Sequence, residues 1–291
     1  MTRIVADTLC GLSRETARDL GIPMISQIIN FGEESFREGI DMDHAAFMAR
    51  LRAGKELPKT AAPYPGDFIA VFAELVKTGE EIVCIHPSAE VSGTVRSALT
   101  AKEAFPDADI RVIDTRTIAG PLASIVLAAH RAATAGATAD AVEALVREMA
   151  PRARIYFLVD TLEYLRRGGR IGGAAALVGS ILQVKPILTF TGGKVEPFEK
   201  ERTKKRAMAR LLELVRGEAA PAGEAHVTIM HTAAAEDAAY LAAELRPAFG
   251  ADIPIMDLVP AIVTHAGPGA LAVGFFAPAG RSTTSTEQPR P

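Results

Sequence analysis

The segment CIHPSAEVSGTVRSALTA, residues 84–101, gathers four hydroxyls, Ser88, Ser92, Thr94 and Ser97, around Gly93. EIVCIH (81–86) before it reads as a strand and TVRSALTAKEAF (94–105) as a helix, so the hydroxyls fall at a helix start. Backbone N–H groups there are unpaired and carry partial positive charge, which suits an anion. A serine in that place also caps a helix with no ligand present, so Ser92 has two readings. A third reading is nucleophilic, with His86 and His265 as candidate bases. The local EVSGT is not the Gly-x-Ser-x-Gly of a hydrolase elbow, and a serine without base or orienter argues little for covalent chemistry.

Further along, KTAAP places Thr60 in a proline-bounded loop, where a turn role is the plain explanation. RRGGRIGG sets Arg166, Arg167 and Arg170 among glycines. Arginine suits bidentate recognition of carboxylate or phosphate, and a solvated arginine pair at a helix end explains the run equally well. Its glycine spacing is neither a dinucleotide fingerprint nor a phosphate loop, and TGGKV fails the same test. His265 precedes a Gly-Pro-Gly turn in an apolar run, a usual setting for a hydrogen-bonded core histidine. Lys200, Arg202, Lys204, Lys205, Arg206 and Arg210 form a basic stretch. Such a stretch is usually a solvated helix face and less often docks an acidic partner or a membrane surface.

The elements that must hold these residues are those of an α/β protein. With 291 residues, 48% hydrophobic content and a net charge of −3, the chain can bury a sizeable core, and nothing basic in its balance suggests nucleic acid. Two cysteines without a CxxC pairing argue against a disulfide framework or a zinc site. MTRIVADT enters a strand at once, unlike a secretory leader, so a cytoplasmic location is expected. The most apolar stretch is interrupted by Asp257, Pro260, His265 and Pro268 and cannot span a membrane as one helix.

Strand-then-helix units over residues 1–152 predict a parallel-sheet domain, with a less regular insertion over about 22–65. Helices are expected at 42–53, 66–77, 120–136 and 138–150. Residues 153–279 predict an α+β domain with a hairpin turning at Gly192-Gly193. A short helix is expected at LEYLRRGGRIGG, a second at AAALVGSILQ, a helix closed by Gly217, and a closing strand at GALAVGFF. Residues 280–291, small and polar, read as a disordered tail.

Taken in order, ADT, KTAAP, SAEVSGTVRSA, VDTLEYLRRGGRI, GSILQVKPIL and HAGPGALAVGF resemble the DegV family of bacterial lipid-binding proteins over residues 3–277. The resemblance implies a two-domain fold enclosing one long-chain fatty acid between the domains, with no cofactor and no enzymatic activity of its own. It also implies that some members present the acid to a separate ATP-dependent fatty acid kinase and then carry the acyl phosphate. By motif, Thr60 and Ser92 hold the carboxylate with Gly93 and Thr94 beside them, and Arg170 and His265 lie near the head group. Two positions depart from the family pattern. Thr60-Ala61 replaces a Thr-Ser pair, removing one hydroxyl, and FREG (Phe36 to Gly39) replaces aromatic-x-Asp-Gly, read as a packing change. The competing function is a serine-dependent esterase or thioesterase using Ser92 and His265; a nucleotide-binding module is disfavoured by the missing phosphate loop.

Overall fold

The computed structural model describes residues 1–54, 57–179, 184–250 and 252–280. The expected tail beyond Gly280 lies outside the described residues, as does the end of the helix expected at AAALVGSILQ. The described part of that stretch forms a 3-10 turn, Gly172–Leu177.

The first half contains β1 (Thr2–Asp7), α1 (Arg14–Asp19), β2 (Met24–Ile25), β3 (Ile28–Phe31), β4 (Glu34–Arg37), α2 (His44–Ala53), β5 (Lys59–Ala61) and α3 (Pro65–Lys77). It continues with β6 (Glu81–His86), α4 (Thr94–Lys102), β7 (Ile110–Asp114), α5 (Ala119–Thr134) and α6 (Ala139–Met149). Strands β2-β1-β6-β7 form a parallel sheet. Ile82, Val83, Cys84 and Ile85 are all fully buried, as a parallel strand covered on both faces requires. One face packs on α3 and α4 through Phe68, Phe72 and Ala98. The other packs on α5 and α6 through Leu122, Ile125, Val126, Val142 and Val146. Strands β1 and β6 end at Asp7 and His86, on the carboxyl edge where open α/β sheets place ligands.

The stretch expected to be irregular instead carries an antiparallel sheet ordered β4-β3-β5. Its strands are three or four residues long, too short to display the alternation that marks a half-buried strand. Thr60 therefore sits in β5, paired with Ile29, and not in a loop.

The second half contains β8 (Ala153–Leu158), α7 (Glu163–Arg167), β9 (Lys185–Thr191), β10 (Lys194–Glu201), α8 (Lys204–Glu218) and α9 (Ala222–Ala225). It ends with β11 (Thr228–His231), α10 (Ala235–Phe249), β12 (Ile255–Asp257), α11 (Pro260–Ala266) and β13 (Leu271–Phe276). The sheet order is β10-β9-β8-β13-β11-β12. Strand β13, read as closing the chain, occupies the middle of the sheet between β8 and β11. Alternation divides the sheet cleanly. Tyr156, Leu158, Ile187, Ile229, Leu271 and Val273 pack on α8 and α10, whereas Ile155, Leu188, Met230 and Ala272 face the other way. Helix α8 runs through Gly217 and ends at Glu218, where Ala219 turns extended ahead of Pro221. Helix α11 went unforeseen because Pro260 and Pro268 suggest a loop, yet a proline at the first helical position is favourable.

Helix α5 lies between the two large sheets, touching β1 on one side and β11, β13 and β8 on the other. It is thus buried on more than one face. The approach is close enough to require glycine. A Cβ on Gly120 would lie 2.3 Å from Thr228 Oγ1, and one on Gly274 2.7 Å from Pro121 Cδ. Among the described residues no helix is long and apolar enough to cross a membrane.

Candidate functional site

Between the six-stranded sheet, α11, β5 and the start of α4 lies a cavity of about 950 Å3, counted out to its mouth. Its deep end is apolar: Leu9, Ala119, Ile155, Met230 and Ala272 are all buried. Five polar side chains face it, those of Gln27, Thr60, Ser92, Arg170 and His265, together with Gly93. All but Gln27 are half-buried, so the mouth is at the polar end.

The strand β6 to α4 connection delivers Ser92 and Gly93. The helix begins at Thr94, where the sequence places its start, with Gly93 as its cap, so Ser92 is not the N-cap. Instead Ser92 Oγ accepts the Thr94 backbone N–H at 3.3 Å and lies 2.8 Å from Thr94 Oγ1. Thr94 is fully buried and stands behind Ser92, outside the cavity lining. Ser88 is also buried but faces elsewhere; its hydroxyl donates to Gly193 O and ties this loop to the β9–β10 turn.

Thr60 and His265 meet across 205 positions of sequence, with Thr60 Oγ1 2.8 Å from His265 Nε2. His265 Nδ1 is buried without a hydrogen bond. A buried N–H without a partner costs more than a bare ring lone pair, so the proton belongs on Nε2, which donates to Thr60. Burial, reinforced by Arg170, pushes the imidazole down to about 4, and it is neutral at pH 7. With its oxygen already accepting, Thr60 keeps its own hydrogen for the cavity. The Arg170 guanidinium donates to Val91 O at 3.0 Å and Gly168 O at 2.7 Å. No carboxylate among the described residues pairs with it.

The two departures from the family pattern have different outcomes. Neighbouring strand residues point to opposite faces, and Thr60 and Ala62 line the cavity while Ala61 does not. The missing hydroxyl at 61 is therefore no loss to the cavity. Glu38, read as a packing change, is a buried carboxylate whose Oε1 accepts the Ala261 N–H at 2.7 Å and so anchors α11, the helix that carries His265.

Sequence reading passed over Gln27 and Asp7. Gln27, 3% exposed, donates both amide hydrogens, to Asp7 Oδ1 at 3.1 Å and Thr94 Oγ1 at 2.9 Å. A signal was present: Gln27 is polar inside the apolar run MISQIINF, and a polar residue in a core-like position is the informative kind. His86, weighed as a base, is buried with its Nδ1 2.8 Å from Asp7 Oδ2 and does not line the cavity. No imidazole or carboxylate is hydrogen-bonded to Ser92 among the described residues, so an esterase constellation is not assembled. Within the basic stretch, Lys204 pairs with Asp237, Arg206 with Glu201 and Arg210 with Glu199, the arrangement of a solvated face. Among the described residues no group of three or more His, Cys, Asp or Glu side chains is placed to hold a metal ion.

Comparison with known proteins bears on the family and the overall fold. A DegV domain-containing protein of Halalkalibacterium halodurans is 35% identical over 275 residues, covering 94% of this chain and 97% of its own. Protein DegV of Bacillus subtilis is 33% identical over 277 residues, covering 93% and 97%. Among solved structures, a DegV family protein from Thermus thermophilus, described as fatty acid binding, superposes with a TM-score of 0.87 at 28% identity, covering 95% of this chain and 99% of its own. Bacillus subtilis DegV, described as a fatty acid binding protein, gives 0.85 at 31% identity with the same coverage. The family model described as "Uncharacterised protein, DegV family" matches residues 1–278, and the chain belongs to the DegV family.

Proposed function

We propose that this protein binds one long-chain fatty acid, its tail in the apolar cavity and its carboxylate at the polar mouth. The observation that carries the reading is the pairing of a deep apolar chamber with two hydroxyls, Ser92 and Thr60, whose oxygens already accept hydrogen bonds. Each has a hydrogen left to donate, and a carboxylate is the acceptor that a fatty acid supplies. The Gly93 amide lies beside them, Thr94 supports Ser92 from behind, His265 supports Thr60, and Arg170 brings a positive charge that no carboxylate pairs with among the described residues. Each buried methylene contributes about 0.8 kcal/mol, so the tail sets affinity while the head group sets direction. An unpaired buried carboxylate would be costly, which is why donors must wait at the mouth.

The reading extends to presentation of the acid to a separate ATP-dependent kinase, which would form the acyl phosphate at the half-exposed end. The chain itself carries no phosphate-loop motif. Among the described residues no contact favours ester hydrolysis, because His265 supports Thr60 and not Ser92.

Mass spectrometry of an organic extract of the purified protein should reveal a copurifying long-chain acid, and delipidated protein should bind palmitate saturably. Protein that yields no lipid and takes up neither palmitate nor oleate would overturn the reading. Ser92→Ala combined with Thr60→Ala should weaken palmitate binding at least tenfold, whereas unchanged affinity removes their role. Mixing loaded protein with a fatty acid kinase and ATP should give acyl phosphate; with none formed, the carrier extension fails and lipid binding stands.

A further inference from the structure

A donor at the mouth must have its hydrogen aimed as well as its oxygen placed. At Ser92 the aim is set by a chain of hydrogen bonds that begins well behind the cavity. Asp7, fully buried, accepts the Leu9 N–H at 3.0 Å and faces His86 Nδ1. Toward Gln27 it presents an acceptor, so the carboxamide must turn its nitrogen to Asp7. The second hydrogen of that nitrogen then meets Thr94 Oγ1 at 2.9 Å.

Thr94 is left with one hydrogen of its own. Its hydroxyl is fully buried, and among the described residues its one other hydrogen-bonding neighbour is Ser92 Oγ at 2.8 Å. Were Ser92 to donate to Thr94, the Thr94 hydrogen would be buried with no acceptor, which is penalised. Thr94 therefore donates to Ser92. Ser92 Oγ now holds two incoming hydrogen bonds, from the Thr94 O–H and N–H, and its own hydrogen can only point away, into the cavity.

We infer that Gln27 is a positioning residue for head-group recognition, relaying the acceptor character of Asp7 through Thr94 so that Ser92 meets the ligand as an obligate donor. The inference rests on the carboxylate-binding role proposed above for Ser92. It makes the mouth selective for lipids whose head group is a strong acceptor, carboxylate before alcohol. Gln27 does this from a position sixty-odd residues away in sequence and without being the group that donates to the ligand.

The test compares palmitate with hexadecanol, which share a tail and differ in acceptor strength, by titration calorimetry on delipidated protein. Wild type should prefer palmitate. Gln27→Glu offers Thr94 an acceptor in place of a donor; Thr94 then turns back, Ser92 donates to Thr94, and the preference should fall about tenfold with hexadecanol binding retained. Thr94→Val should do the same by breaking the chain, and Thr94→Ser, which restores the hydroxyl, should recover the preference. The threonine pair decides the matter should Gln27→Glu not fold. Variants that keep the wild-type preference, or that lose both ligands equally as a structural defect would, overturn the relay. Wild type that binds neither ligand overturns instead the fatty-acid reading on which it rests.

Discussion

Replacing Glu38 by glutamine should change the stability of the protein by an amount that depends on pH in a defined direction. Glu38 is 2% exposed, and burial pushes its carboxyl up to about 7, with Asp7 adding to the rise and the Ala261 amide and Arg14 opposing it. The folded protein thus holds this proton more tightly than the unfolded chain, whose carboxyl has the ordinary value of 4.5. The group's contribution is fully favourable below pH 4.5 and is lost as pH rises from there to 7. The interval from 4.5 to about 7 corresponds to roughly 3 kcal/mol at about 1.4 kcal/mol per pH unit. Glutamine keeps an oxygen for the Ala261 N–H and has no proton to lose. Urea unfolding of both proteins at pH 5 and pH 8 isolates this effect, because pH-independent consequences of the amide and the titration of other groups cancel in the comparison. Glu38→Gln should gain about 2.5 kcal/mol relative to wild type between the two pH values, the rest of the effect lying below pH 5. A difference between the two proteins that is the same at both would refute the reasoning, since the carboxyl would then not be held protonated by burial.

His265 gives the opposite slope. Its imidazole is lowered to about 4 by burial and then Arg170, so its contribution is present above pH 6.5 and lost as pH falls toward 4. His265→Gln should therefore flatten the acid side of the stability profile by roughly 3 kcal/mol, read by urea unfolding at pH 4 and pH 7. Gly168 has ordinary helical φ and ψ of −74° and −8°, so alanine is conformationally acceptable there, but its Cβ would stand 2.0 Å from His265 Nδ1. Gly168→Ala should displace the imidazole from Thr60 and weaken palmitate binding at least tenfold with the melting temperature little changed. Leu122, fully buried in α5 between the two sheets, should cost about 2–5 kcal/mol when cut to alanine, measured by chemical denaturation. Asp43 accepts the Ala46 N–H at 2.8 Å as the cap of α2, and Asp43→Ala should cost about 1 kcal/mol in the same assay.

Where an element has a strong period or strong punctuation, its sequence announces it. Strand β6 occupies Glu81–His86 as read, α6 starts behind Thr138 and stops before Pro151, and the β9–β10 hairpin turns at Gly192-Gly193. The short elements failed for physical reasons. Strands β3 to β5 are held by pairing with one another more than by any pattern of their own, and α11 depends on Glu38, just after the end of β4, to receive one of its free N–H groups. At the site, motif resemblance picked out residues that the fold brings to one cavity, Thr60, Ser92, Gly93, Arg170 and His265. It assigned Thr94 to the same layer, whereas the structure sets Thr94 one step behind.

By itself the sequence determined the layers: which runs are strands buried on both faces, which helices cover them, and which segments end in hydroxyls, glycines or arginine. Those features depend on residue type and on neighbours a few positions away, where hydrophobic period, caps and turns act. Only the tertiary structure decided the partners. Thr60 meets His265, Gln27 joins Asp7 to Thr94, and Glu38 holds Ala261, each across a long span of chain. Hydrogen bonds have direction, and burial shifts proton affinity. Whether Ser92 donates, and whether His265 is charged, follows from what surrounds each group once the sheets have packed, which no local pattern encodes.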